Sequence, residues 1–366
     1  MATFLKTLCT DIDGINKPIK EAIEINLGGK YNILFEVINF KDYGNNSSRT
    51  RTLVLGTRKD LKEITPYDIF PEEREALTLR NVIGDLTPLT IMGEIDETDI
   101  FHSFRRYDHR MIEWIKDLRE GESAFDNIDA NKRPHRIVRG VRIPNQNKNA
   151  DKYRRCFWDK PAPCIHTRND ILASQATIHP RNDRVFSIRE LMRMMTIPDE
   201  FRWLDEDLRQ LNSYGLTEKA QILFKEELNI RHCIGEAVPT TIFKQIASKV
   251  KSVLGYQYLN DSQVKDVIED NNLGKFSELI RYVDKNPSNF TYSQLSRICE
   301  MANAKRQKHA AFYTPQDVCF SLIKELPELK KIDCINIIEP SVGVGNFIPL
   351  LFNKYRNATN VVLDIV

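Results

Sequence analysis

Near the carboxyl terminus, the order of apolar and polar positions predicts a strand, a tight turn, a helix and a second strand. The apolar run 335–338 ends at Glu339, and an amphipathic stretch occupies 347–355. Two glycines separate them, and a second apolar run follows as Val361-Val362-Leu363-Asp364. This order indicates the opening half of a βαβ unit, so we predict an α/β fold.

In the earlier parts of the chain, some stretches have the spacing of apolar residues that is typical of helices and others the spacing that is typical of strands. The β-branched and aromatic stretches 31–40 and 50–56 predict two strands joined by a turn. Ser187 and Glu190 have the spacing of a capping box, which predicts the start of a helix. Residues 255–308 are charged and helical in period and carry no recognisable chemistry, so we interpret them as a helical connector.

Composition bounds the class of protein without naming it. The chain has 366 residues, 41% hydrophobic and 28% charged, which describes an ordinary globular protein of two or three domains. No apolar run approaches the length of a membrane span, and the amino terminus lacks a secretory pattern. The seven cysteines are scattered without metal-ligand spacing, so reduced thiols in a cytoplasm are the simplest interpretation, and no metal is expected.

Residues 132–160 form a basic stretch with ten Lys and Arg against two acidic residues, and three aromatic residues are interleaved. Such a surface suits phosphate neutralisation and base contacts. A solvated charged face is the plainer alternative and the more frequent one. The arginines that we expect to contact DNA are Arg139, Arg142, Arg154, Arg155, Arg184 and Arg189.

Arg49 and Arg51 stand two residues apart in a predicted strand, so their side chains share one face. Two guanidinium groups aimed together favour an anionic or carbonyl-rich partner such as a phosphate or a base edge. From these two residues alone, a solvated basic edge strand is the favoured explanation.

The turn after Glu339 carries glycines at 343 and 345, where a backbone approaching a ligand closely cannot hold a Cβ. Ile348 stands where a dinucleotide fingerprint would need a third glycine, which favours a nucleoside without a pyrophosphate. Asp364 near the end of the second strand suits ribose hydroxyls.

This turn resembles the S-adenosylmethionine loop of amino-methyltransferases that act on DNA adenine. Ala311-Phe312-Tyr313-Thr314-Pro315 is similar to the element that precedes the loop in that family. A well-capped helix alone would also explain it. The resemblance implies a cofactor site made by Phe312, Tyr313, Thr314, Pro315, Glu339, Pro340, Gly343, Gly345 and Asp364.

A second resemblance spans roughly residues 30–250. Arg49 and Arg51 follow a turn, as in the Gln-x-Arg-x-Arg element of cytosine-C5 DNA methyltransferases, with Ser47 at the Gln position. The spacing of Arg184, Ser187, Arg189 and Glu190 is similar to the helix that organises the recognition region of that family. Gly235-Glu236-Ala237-Val238-Pro239 resembles its Gly-Asn-Ala-Val-Pro element, with Glu in place of Asn.

This second resemblance implies that Arg49 and Arg51 lie beside a flipped cytosine. It also implies that Gly235, Glu236, Ala237 and Val238 line a cofactor pocket.

Both resemblances imply reaction parts that we do not find in this sequence. Cytosine-C5 transfer needs a Pro-Cys nucleophile loop. Pro163-Cys164 is rejected for that role because its context matches the family's strand beside the recognition region. The Asp/Asn-Pro-Pro-Tyr/Phe loop of adenine enzymes would follow Val366. We therefore expect a chain that is incomplete as an enzyme.

Together these observations predict partial Rossmann-like, S-adenosylmethionine-dependent methyltransferase sheets on either side of a recognition region. The predicted segments are 1–60 and 201–254 of the cytosine-C5 module, 61–200 for recognition, 255–308 as connector, and 309–366 as the start of an adenine-N6 module. We expect a DNA methyltransferase of a restriction–modification system that binds double-stranded DNA. The missing Pro-Cys half would come from a second chain or from the full-length gene product. A non-catalytic DNA-binding or specificity subunit, or an inactive gene fragment, is the alternative.

Overall fold

A computed structural model of the protein describes residues 3–61, 64–146, 151–255, 259–287, 290–303, 314, 316–327, 334–340, 342–355 and 358–365. The strands are β1 (Leu8–Thr10), β2 (Asn16–Pro18), β3 (Tyr31–Asn39), β4 (Thr50–Arg58), β5 (His135–Val138), β6 (Val141–Pro144), β7 (Cys334–Glu339) and β8 (Asn360–Ile365). They form four two-stranded sheets within these residues.

The helices of the described residues fall along the whole chain. They are α1 (Thr3–Lys6), α2 (Ile19–Leu27), α3 (Leu79–Ile83), α4 (His109–Ile115), α5 (Ile188–Met194), α6 (Leu208–Ser213), α7 (Leu216–Glu236), α8 (Thr240–Gly255), α9 (Asp261–Asp270), α10 (Phe276–Lys285), α11 (Tyr292–Ala302), α12 (Gln316–Glu325) and α13 (Ile348–Lys354). Mixed helices and strands confirm the predicted α/β class. The predicted strands 31–40 and 50–56 are β3 and β4, and the latter runs two residues farther than expected.

The chain divides into two compact units. The terminal unit comprises residues 1–37, 52–70 and 246–366, and the middle unit comprises 38–51 and 71–245. The predicted segment boundaries at 60, 200, 254 and 308 do not coincide with these limits and stay predictions.

In the terminal unit, β7 and β8 run parallel with α13 between them in sequence. Their register extends from Cys334 opposite Asn360 to Glu339 opposite Ile365. Helix α13 buries Leu350 and Leu351 in a cluster with α12 and the apolar face of the two strands. The predicted strand–turn–helix–strand order is therefore confirmed.

The turn between β7 and α13 requires glycine twice. Gly343 has φ of 55° and Gly345 has φ of 81°, a left-handed region that side chains rarely adopt. Ile348 N–H donates to the Gly345 carbonyl at 3.1 Å, which leads the backbone into α13.

Helices α9, α10 and α11 have a small core of their own around Val264, Leu273, Ile298 and Ala302. The predicted helical character of 255–308 is confirmed for its described residues. Their internal core shows that the segment is a packed helical cluster rather than an extended linker.

The core of the middle unit surrounds α5 and α7. Ser187 and Glu190 form the predicted capping box, in which the Glu190 carboxylate accepts from Ser187 N–H at 2.7 Å. Six of the seven residues of α5 are buried. The buried side chains of α7 include Leu223, Ile230 and Ile234, a helical spacing that presents one face to the same core.

Candidate functional site

The strand arginine Arg49 is buried, with 4% of its surface exposed, and holds together three segments of the middle unit. Its Nη1 donates to the carbonyl oxygens of Ile165 and Gly235, at 3.0 Å each. Its Nη2 donates to the Glu236 carbonyl at 3.4 Å. Two of these acceptors are the last carbonyls of α7, where a cation offsets the negative end of the helix dipole.

The surroundings of Arg49 disfavour the charged form of its guanidinium group. Burial, with the positive charge of Arg51 as the second cause, lowers the pKa of the Arg49 guanidinium. Because its donors face main-chain carbonyls, we interpret Arg49 as a positioning residue. Its predicted contact with a flipped base is not retained.

Arg51 is half-buried and donates to the Thr50 carbonyl at 2.8 Å. Burial first, and then the charges of Arg49 and Arg51, lower the pKa of His166. The positive charge of Arg51 therefore acts on His166. Its role beside a substrate base stays a prediction.

Gly235 is a glycine because α7 touches another backbone there. A Cβ at this position would lie 2.4 Å from the Thr167 Cα, closer than real Cβ contacts come. The following residues are more open: the Glu236 side chain and Val238 are exposed, and Ala237 is half-buried. Arg49 and Thr167 thus fix the end of α7, while residues 236–238 keep accessible surface for the predicted pocket wall.

The predicted counterpart of the Gln position, Ser47, is fully buried. Ser48 N–H donates to the Ala162 carbonyl at 2.8 Å, and Ala162 N–H donates to Asn46 at 3.0 Å. The segment before β4 therefore pairs with the chain just before Pro163-Cys164. Residues 158–165 form turns and one isolated bridge between Ser47 and Ala162, so the strand that the resemblance implied for this segment is not formed.

Three arginines predicted to contact DNA lie inside the protein, so these predictions are corrected. Arg184 is 1% exposed and donates to both Glu190 oxygens, at 2.7 and 2.8 Å. Arg189 pairs with Asp99, and Arg155 donates to the His179 carbonyl at 3.0 Å. A charge that is desolvated and paired in this way cannot also reach a phosphate.

The other predicted arginines are more accessible. Arg139 is exposed, Arg142 is half-buried beside Asn131, and Arg154 is half-buried with Asp151 at 3.2 Å. Of the interleaved aromatics, Tyr153 is buried against Trp114 and Phe125.

His179 lies beside the buried pair Arg184–Glu190, and its hydrogen bonds define its protonation state. The His179 Nδ1 accepts from the N–H groups of Arg181 and Asn182, at 3.1 and 2.9 Å. The proton of the neutral ring therefore sits on Nε2, which lies 3.5 Å from the Glu190 carboxylate. Burial, the largest cause, lowers the pKa of His179 to about 3.

Because the pKa of His179 is lowered, we expect the protein to lose stability in mild acid. Because the folded pKa is lowered from the ordinary 6.5, the contribution is fully present above pH 6.5 and is lost as pH falls toward about 3. Between about pH 7 and 5 we expect a loss of roughly 2 kcal/mol from this group. Urea unfolding of the wild type and of His179→Asn across that range measures it. Asparagine keeps an acceptor but does not titrate, and equal pH slopes would refute the assignment.

At the carboxyl ends of β7 and β8, the structure brings together several residues of the predicted adenine-type site. Glu339 ends β7, and Asp364 pairs in register with Ile338. The glycine turn begins at the same edge of this parallel pair, where ligands of open α/β sheets bind. Thr314 and Pro340 are described, whereas Phe312, Tyr313 and Pro315 lie outside the described residues.

Asn346 was missed in the sequence, although it directly follows the second glycine. It is buried, and its Nδ2 donates to the Thr314 carbonyl at 2.8 Å. Its Oδ1 accepts from the Ser296 hydroxyl on α11. The glycine turn is thus tied both to Thr314 and to the helical cluster, two links that no local spacing could reveal.

The described residues contain no group of His, Cys, Asp and Glu side chains that could hold a metal ion. No helix among them is both long and apolar enough to cross a membrane.

The βαβ order and the glycine turn are those of the α/β class to which methyltransferases belong. Residues 16–252 match the C-5 cytosine-specific DNA methylase family, and the chain belongs to that family. The chain is 28% identical over 256 residues to the Type II methyltransferase M1.HgaI of Avibacterium volantium, which covers 68% of this chain and 63% of that protein.

The chain is also similar to a second methylase and to one solved structure. The Type II methylase M.HgiDII of Herpetosiphon aurantiacus is 26% identical over 61% of this chain and 56% of its own length. The solved structure of the Entamoeba histolytica methyltransferase EhMeth is 16% identical, with a TM-score of 0.35 over 65% of this chain and 59% of that one. The chain spans less than two-thirds of the length of these curated relatives. Cytosine-C5 DNA methyltransferases use S-adenosylmethionine as methyl donor.

Proposed function

We propose that this chain is the DNA-recognition part of an S-adenosylmethionine-dependent cytosine-C5 methyltransferase in a restriction–modification system. The observation that supports it is the family match over 16–252 together with the joint that Arg49 makes at the end of α7. That joint holds the strand with the paired arginines against the segment that precedes Val238. We also propose a cytoplasmic location, on the scattered free cysteines.

In this function the residues of the chain would bind the cofactor and the DNA and would orient the target base. Bound S-adenosylmethionine would supply the methyl group, and residues 235–238 would line its pocket. Arg51 would donate to the target base, with Arg49 keeping its backbone in place. Exposed basic residues of 132–160 would neutralise phosphates. A Pro-Cys loop, carried by a second polypeptide or by the full-length gene product, would provide the nucleophile.

We further propose that residues 309–366 begin an adenine-N6 module. Its support is the parallel β7–β8 pair, the two left-handed glycines, and the carboxylates of Glu339 and Asp364 at one edge of the sheet. A carboxylate there suits ribose hydroxyls. The link from Asn346 to Thr314 fixes the turn next to the element that the adenine family would use.

One complementation experiment tests both proposals. The chain is mixed with an amino-terminal fragment of a cytosine-C5 enzyme that carries the cofactor loop and the Pro-Cys loop. Methyl transfer from labelled S-adenosylmethionine to plasmid DNA is followed, and modified nucleosides are identified by mass spectrometry. We expect 5-methylcytosine. N6-methyladenine should form only after addition of a fragment with an Asp/Asn-Pro-Pro-Tyr loop.

In that assay Arg51→Ala should lower the rate of cytosine methylation on the order of a hundredfold, because it removes a donor to the reacting base. Duplex binding, measured by fluorescence anisotropy, should change little. Arg209→Ala, which removes an exposed arginine elsewhere, is the matched control. Undiminished methylation would remove Arg51 from the site. DNA binding without transfer under any complementation would instead support a non-catalytic specificity subunit.

A further inference from the structure

We propose that helix α7 pairs antiparallel with α7 of a second copy of this chain, through an exposed stripe that carries Phe224 and Leu228. The proposal goes beyond methylation, because it concerns how two copies of the chain associate. It depends on the exposure, the spacing and the charges of the face of α7 that is turned away from the core.

The outer face of α7 leaves large apolar side chains uncovered. Phe224 is 91% exposed and Leu228 is 53% exposed, although both lie well inside a 21-residue helix whose other face is buried in the core of the middle unit. Leu216, in the first turn of the same helix, is 58% exposed. Apolar side chains that follow one another along a helix favour a binding surface over isolated exposure.

The spacing of this face is typical of a two-stranded coiled coil. Its positions are separated by four, three and four residues, namely Thr217, Gln221, Phe224 and Leu228. This alternation is that of the a and d positions of a heptad, with Gln221 and Leu228 at a and the other two at d. On a helix of 3.6 residues per turn the stripe lies about 140° around the axis from buried Leu223 and Ile230.

A shallow groove on the same face suits a side chain from a facing helix. Its lining residues are Leu216, Thr217, Ala220, Gln221, Phe224 and Lys225. Four of them have the spacing of the four residues that surround a knob in coiled-coil packing. In an antiparallel pair an a position faces a d position, so Phe224 of the second copy would enter this groove beside Gln221. The small side chain of Ala220 leaves room for the ring.

The charges beside the stripe favour the antiparallel direction. Glu218 and Lys225 are exposed, and each directly follows a d position, which makes both of them e positions. In an antiparallel pair e positions face e positions, so Glu218 of each copy would face Lys225 of the other. Two equivalent ion pairs would then form across a two-fold axis. A parallel pair would instead place Lys225 opposite the uncharged Ala220.

A second copy is the occupant that α7 itself specifies. Many apolar partners could cover Phe224, but a copy of the same helix also brings an acid to each Lys225 and a base to each Glu218. A contact of about four helical turns is smaller than a standard protein interface. We therefore expect a reversible dimer with a dissociation constant on the order of 10–100 µM.

Sedimentation equilibrium of the full chain from about 5 to 200 µM tests this pairing. A reducing agent is present, because Cys233 and Cys334 are exposed. Lys225→Glu and Glu218→Lys should each weaken association by on the order of tenfold or more, since each variant places two like-charged pairs across the axis. An equimolar mixture of the two variants should recover the dimer, because two lysines of one chain then face two glutamates of the other.

Controls separate this pairing from misfolding and from other surfaces. Glu218 also accepts from Gly215 N–H at 3.1 Å, so Lys225→Glu, which leaves this cap intact, is the decisive single variant. Lys244→Glu reverses an exposed charge on α8 and should leave association unchanged. A wild type that stays monomeric would overturn the inference. Association that survives Lys225→Glu, or a mixture that stays monomeric, would overturn it equally.

Discussion

The Glu190→Gln variant is expected to unfold about 4 kcal/mol more easily than the wild type, because removal of one partner leaves a buried guanidinium uncompensated. Arg184 and Glu190 are each 1% exposed and meet through two hydrogen bonds. Burial alone would raise the pKa of Glu190, but the charge of Arg184 lowers it below its ordinary value. Urea unfolding at pH 7 measures the loss.

An exposed pair of the same geometry provides the control. Arg80 donates to both oxygens of Asp159, at 2.6 and 2.9 Å, but both side chains are more than half exposed. Asp159→Asn should therefore change the unfolding midpoint little, since water replaces the lost partner. In an Arg184→Met background Glu190→Gln should cost much less. If Glu190→Gln cost no more than Asp159→Asn, the pair would not be desolvated as the structure has it.

Short-range patterns in the sequence predicted the features that depend on neighbouring residues. The two glycines were predicted from the need for close backbone approach, and both have positive φ. The capping box at Ser187 depends on a spacing of three residues, and it forms. The parallel order of β7 and β8 follows from the helix between them, because a right-handed crossover leaves few other topologies.

Long-range pairing is what the sequence could not reveal. In the sequence Arg189 cannot be distinguished from a surface arginine. In the fold it forms an ion pair with Asp99, which lies 90 positions earlier. The acceptors of Arg49 are main-chain carbonyls 116 and 186 positions away, and any residue type could supply them. A basic residue in a sequence therefore predicts charge, but only the fold decides whether that charge faces DNA or the core.

Substitution of Arg49, whose charge is also buried and paired over long range, is expected to cause the second large loss of stability. Arg49→Met should destabilise the middle unit by about 3 kcal/mol, since the buried Ile165 and Gly235 carbonyls lose their donor and unpaired buried acceptors cost about 1–3 kcal/mol each. For a unit of this size the fall in Tm should be roughly 6–12 °C. Differential scanning calorimetry and urea unfolding measure it.

Arg49→Lys separates the roles of charge and geometry in this joint. A lysine keeps the cation near the end of α7 but cannot span carbonyls from two segments at once, so it should recover only part of the lost stability. Had Arg49 contacted the target base directly, the methionine variant would lose methylation in the complementation assay with an unchanged Tm. A lowered Tm with weakened cofactor binding would instead show that Arg49 acts through the end of α7, because the carbonyls it binds belong to the predicted pocket wall at 235–238.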